Sequence, residues 1–77
     1  MRDGFRIYYF DSWSETFENL TTCDTLQQAR QEVNKSFLLT TDTDITAVYI
    51  SWYEDGIEQE EQYVLRETEN GKKWERA

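Results

Sequence analysis

The chain predicts a small α+β domain, one helix packed on an antiparallel sheet, in the order β(β)αβββ. Three observations carry that expectation. Residues 25–38 hold an apolar stripe at helical spacing, while 5–10, 45–54 and 57–68 are rich in β-branched and aromatic residues. Two glycine-bearing dipeptides, Asp55-Gly56 and Asn70-Gly71, link apolar runs as hairpin turns do. With 77 residues the chain forms one domain, 1–77, and a chain of that size buries only about 60–65 % of its unfolded surface.

The first strand, FRIYYF over 5–10, sets Phe5, Ile7 and Tyr9 on one face and Arg6, Tyr8 and Phe10 on the other. Apolar character on both faces predicts an inner position. Residues 11–15 have turn chemistry, and 16–22 return as a short second strand or as a loop. Asp24 and Gln27 stand at capping-box spacing, which starts a helix at Thr25. Leu26, Ala29, Val33 and Phe37 then form its core-facing stripe to Leu38, and residues 40–44 end it.

Residues 45–54 are the strongest strand. With Asp55-Gly56 as a two-residue turn, Val48 faces Tyr63, Ile50 faces Glu61 and Trp52 faces Gln59. One sheet face then carries Val48, Ile50, Trp52, Tyr63 and Leu65 under the helix, and the other carries Tyr49, Tyr53, Glu58, Glu60 and Gln62. A second turn at Asn70-Gly71 pairs Glu69 with Lys72 and Arg66 with Glu75, ahead of a last strand over 72–76.

The net charge is −8, and it is segregated. Windows 7–29 and 36–65 contain acids and no base, whereas 1–6, 30–35 and 66–77 are each slightly basic. Such a surface repels duplex DNA and anionic membranes and suits a basic partner protein, although acidic residues also simply keep a small domain soluble. The chain has no His and one Cys, which removes the commonest general base and excludes both an internal disulfide and a Cys-rich zinc site. An unpaired Cys fits a reducing, cytoplasmic setting, and no signal peptide or membrane span is predicted.

Cys23 precedes the helix start, where a thiol can be activated, but without a His it lacks a conventional base and reads as a half-buried thiol. Asp42 and Asp44 could share a divalent ion, yet nothing supplies the remaining oxygens, so no metal or other cofactor is predicted. Asn19 and Asn34 match the glycosylation pattern. Of the three Trp, Trp13 is the candidate for exposure as an interface anchor, although core or rim packing is the favoured reading.

The densest acidic cluster is Glu54, Asp55, Glu58, Glu60 and Glu61. Around a hairpin tip water screens these carboxylates, which argues against acid–base catalysis and for a non-enzymatic role. Glu58 and Glu60 share a strand face ~6.7 Å apart. Spaced anions beside Tyr49 and Tyr53 match the charge layout of a nucleic-acid backbone with a stacking surface. The predicted contact set is therefore Glu54, Asp55, Glu58, Glu60 and Glu61 with Tyr49 and Tyr53 as anchors. The alternative is a self-associating module, in which 57–68 or the aromatic first strand pairs across a two-fold axis as a homodimer.

In size, in its two unbroken acidic windows and in its aromatic-plus-Glu hairpin, the chain resembles the small acidic inhibitors of bacteriophages and other mobile elements, anti-CRISPR proteins and DNA mimics among them. The resemblance implies a stoichiometric inhibitor that fills a basic nucleic-acid channel on a host defence protein such as a CRISPR effector.

Overall fold

A computed structural model describes residues 4–77; Met1–Asp3, and with them the Arg2 and Asp3 charges, lie outside the described residues. The order is β1 (Phe5–Asp11), β2 (Thr16–Cys23), α1 (Leu26–Lys35), α2 (Phe37–Thr41), β3 (Ile45–Glu54), β4 (Ile57–Thr68) and β5 (Gly71–Arg76). All five strands form one antiparallel sheet in the spatial order β2-β1-β3-β4-β5.

This corrects the expectation of one helix on a sheet. Strands take 58 % of the described residues and helices 20 %, so the domain is mostly antiparallel sheet with two short helices. The break between them falls at Ser36, whose ψ of 122° is extended. Ser36 N–H closes α1 on the Glu32 carbonyl at 2.9 Å, and Ser36 C=O accepts from Thr40 N–H to open α2. The turn takes Phe37 off the stripe, leaving it 80 % exposed, and drives Leu39 into the core in its place. Trp74 locks that arrangement, because its indole N–H donates to the Leu39 carbonyl at 2.8 Å. The N-cap also differs: Thr25, not Asp24, accepts from the backbone N–H of Gln28 at 3.1 Å.

The core joins Ile7, Val48, Ile50, Tyr63 and Trp74 of the sheet to Ala29 and Val33 of α1 and Leu39 of α2. Because cross-strand partners share a face, Ile7 opposite Ile50 and Val48 opposite Tyr63 define the covered side of the sheet. Among the described residues nothing covers the other side.

The β3–β4 hairpin has the register the sequence predicts, from Val48↔Tyr63 to Glu54↔Ile57. Asp55 and Gly56 both have positive φ, 54° and 80°, as a type I′ turn needs. The β4–β5 hairpin does not follow the expected register. Thr68 pairs with Gly71, so the turn is Glu69-Asn70, Glu67 faces Lys72 and Arg66 faces Lys73. Gly71, at φ +117°, opens β5 instead of closing the turn. A two-residue slip leaves every side chain on its predicted face, and Arg66 still reaches Glu75, diagonally, at 3.1 Å.

β1 and β4 both lie inside the sheet. β1 is paired on both sides, and β4 is paired by β3 over 57–63 and by β5 over 63–68, so neither strand offers a free edge along its full length for pairing across a two-fold axis. No helix among the described residues is long and apolar enough to cross a membrane.

Candidate partner-binding face

The uncovered side of the sheet is built from the residues that alternate away from the core. Strand β1 contributes Arg6, Tyr8 and Phe10; β3 contributes Tyr49, Ser51 and Tyr53; β4 contributes Glu58, Glu60 and Gln62, each opposite its β3 neighbour. Phe17 of the outer strand β2 leans over the same surface. Tyr8 and Tyr49 stack with centroids 5.0 Å apart and planes within 17°. Phe17 packs edge-on to Phe10 at 5.1 Å and to Tyr8 at 5.9 Å. Arg6 holds its guanidinium carbon 5.4 Å from the Tyr8 ring centre.

Carboxylates flank this aromatic cluster on one side only. The Tyr8 hydroxyl donates to the Glu60 carboxylate on a diagonal across β3, where Tyr8 faces Tyr49 and Glu60 faces the small Ser51. Burial, followed by the hydrogen bond to Glu60 and the charges of Glu60 and Glu58, pushes the Tyr8 phenol well above its usual range. Tyr8 therefore stays protonated and serves as a donor to Glu60. Tyr53 is 62 % exposed and sits directly opposite Glu58. Beside it a cleft of about 130 Å³ opens between Arg6, Ser51 and Tyr53.

Of the predicted contact residues, Tyr49, Tyr53, Glu58 and Glu60 come together on this face; Asp55 lies at the exposed hairpin tip, and Glu54, also exposed, alternates to the side of Trp52 and Ile50. Glu61 does not belong with them. It points to the covered side, 4 % exposed, where Arg30 Nε donates to it at 3.0 Å, the Tyr63 hydroxyl donates at 3.0 Å and Arg76 lies 3.4 Å away. Hydrogen bonding from Arg30 holds this carboxyl below the usual range against the opposing effect of its burial, with help from Tyr63 and Arg76. Glu61 is thus a buried fold residue on the opposite side of the sheet from Glu58 and Glu60. The contributions of Arg6, Tyr8 and Phe17 are absent from the sequence-derived set. The alternation of FRIYYF already separates Arg6 and Tyr8 from the core face, and Phe17 joins them only through the β1–β2 register.

The other candidates are used locally. Asp42 Oδ1 accepts from Asp44 N–H at 2.9 Å, and the Asp44 carbonyl accepts from Ser12, so this pair shapes the loop. No group of three or more His, Cys, Asp or Glu among the described residues could hold a metal ion. Cys23 lines a cleft of about 400 Å³ between β2 and α1 with Gln28, Glu32 and Lys35. Burial, then Glu32 and Asp24, pushes its thiol up, the opposite of what a nucleophile needs. Asn34 is engaged with the Trp74 backbone, and Trp13 is 84 % exposed at the β1–β2 turn. Comparison of the chain with known protein families, with characterised proteins and with solved structures finds no match.

Proposed function

We propose that this chain is a non-enzymatic acidic binding protein that acts in the cytoplasm as a stoichiometric inhibitor. Its uncovered sheet face would occupy a basic groove on a nucleic-acid-binding protein, in the manner of a phage-type DNA mimic directed at a target such as a CRISPR effector. One observation supports this reading above the others. The stacked Tyr8–Tyr49 pair and the Glu58–Glu60 row share one uncovered surface on a chain of net charge −8. Carboxylates would stand in for phosphates and aromatic rings for bases, so that the chain competes with nucleic acid.

The test is capture of basic nucleic-acid-binding proteins from a host lysate, at low and at moderately raised salt. Binding that weakens with salt, is released by competing nucleic acid and is lost in the Glu58→Lys/Glu60→Lys variant is the expected result. Exposed pairs are screened over ~8 Å at physiological ionic strength, so the salt response is part of the signature. A Glu61→Lys variant is unsuitable here because it attacks the fold. Capture that ignores both salt and charge reversal overturns the reading. Self-association through the same aromatic face, to which Phe17 at 61 % exposure would contribute, is the second reading. Sedimentation at two concentrations separates the two.

A further inference from the structure

The two ends of β4 differ in a way that specifies how a partner would bind. Strand β5 pairs with β4 only from Tyr63 to Thr68. Ala77 N–H adds one more bond, to the Gln62 carbonyl at 2.9 Å. Gln62 therefore directs its backbone polar groups to the β5 side, and with the two-residue period of a strand Glu58 and Glu60 direct theirs the same way. Their N–H and C=O groups have no ladder partner among the described residues. Residues 57–61 thus form an open half-edge in line with β5, and the side chains of Glu58 and Glu60 stand beside it on the uncovered face.

We infer that this half-edge takes up an extended segment of the partner as an added strand, with Arg or Lys at alternate positions opposite Glu58 and Glu60. Backbone bonds to Glu58 and Glu60 would give affinity, and cross-strand ion pairs would give register and charge selectivity. A second copy of this chain fits poorly, because antiparallel pairing there sets Glu58 against Glu60 of the copy. The other open edge, β2, is interrupted at Leu20 by a bulge and carries Glu18 as its one acid. The outer edge of β5 is closed at Trp74 by Asn34. The inference rests on the proposed reading of the acid-lined face as a partner site.

Amide exchange of the full chain, followed by NMR, tests it with a five-residue probe, acetyl-Arg-Val-Arg-Val-Arg-amide, at low salt. The expected result is exchange slowed about tenfold or more at the N–H groups of Glu58 and Glu60, and no such protection from the same peptide N-methylated along its bonding edge. The Glu58→Lys/Glu60→Lys variant should transfer the protection to the corresponding Glu-Val peptide. Equal binding of methylated and unmethylated peptides, without protection, overturns strand addition and leaves the face as a site read through side chains. Failure of every basic peptide to bind overturns the proposed function along with it.

Discussion

The side-chain amide of Asn34 grips the backbone of Trp74 from both sides. Trp74 N–H donates to Asn34 Oδ1 at 3.0 Å, and Asn34 Nδ2 donates to the Trp74 carbonyl at 3.1 Å. A single residue of α1 thus acts as a one-residue strand and seals the outer edge of β5. Asn34→Ala should destabilise the domain by about 1–2 kcal/mol and lower Tm by roughly 4–8 °C per kcal/mol. Amide exchange at Trp74 should accelerate more than at Leu65. An unchanged melt together with unchanged exchange contradicts the sealing role.

The helix break makes opposite predictions for two neighbouring apolar residues. Phe37→Ser should be nearly neutral, within about 0.5 kcal/mol, because its ring is already in water. Leu39→Ala should cost about 2–5 kcal/mol, since Leu39 is fully buried beneath Trp74. Denaturant titration of both variants checks the pair, and the reverse ranking would mean that a continuous helix carries Phe37 into the core.

Glu61 ties folding to pH. Its folded-state value is depressed, so its contribution is complete above the ordinary carboxylate value of 4.5 and fades as pH falls through the lower folded value. Glu61→Gln removes the charge that Arg30 and Arg76 share. At neutral pH it should destabilise by about 1–3 kcal/mol, and by about pH 3 its deficit relative to the unmodified chain should have narrowed. Urea midpoints at the two pH values measure the difference directly. A deficit that widens with acid would show that the pairing is not what stabilises the site.

Gly71 has φ +117°, a conformation that side-chain-bearing residues rarely adopt, although nothing crowds the position a Cβ would take. Backbone strain alone should therefore make Gly71→Ala cost about 1–3 kcal/mol. The Asn70→Ala variant should be milder, because Asn70 has ordinary backbone geometry. Thermal melts of the two variants rank them.

The strands and the β3–β4 register were legible because alternation and a glycine turn act locally: Asp55-Gly56 fixes seven residue pairs without help from the rest of the chain. The same reasoning misjudged the β4–β5 turn. Two dipeptides, Glu69-Asn70 and Asn70-Gly71, compete there, and the chosen register sets Leu65 opposite Trp74 over the core. The break at Ser36 has no Gly or Pro to announce it, and depends on Trp74 holding Leu39 from 35 residues away. Glu61 looked like its acidic neighbours because its partner Arg30 is 31 residues distant, and only tertiary structure brings the two together. On the open face the Tyr and Glu residues of one hairpin were readable, while Tyr8 and Phe17 required the order of strands in the sheet.

That strand order also fixes how the chain reaches its structure. Three of the four ladders join strands that follow one another in sequence, and only β1–β3 must close across the intervening helices. The entropy of loop closure therefore falls mainly on that one seam, where Ile7 meets Ile50. Two hairpin units that form early and dock late would make this seam the kinetic gate. Shortening Ile7 to Val should then slow folding, and a comparable loss within the early β4–β5 ladder, such as Val64→Ala, should also slow folding and leave the unfolding rate little changed.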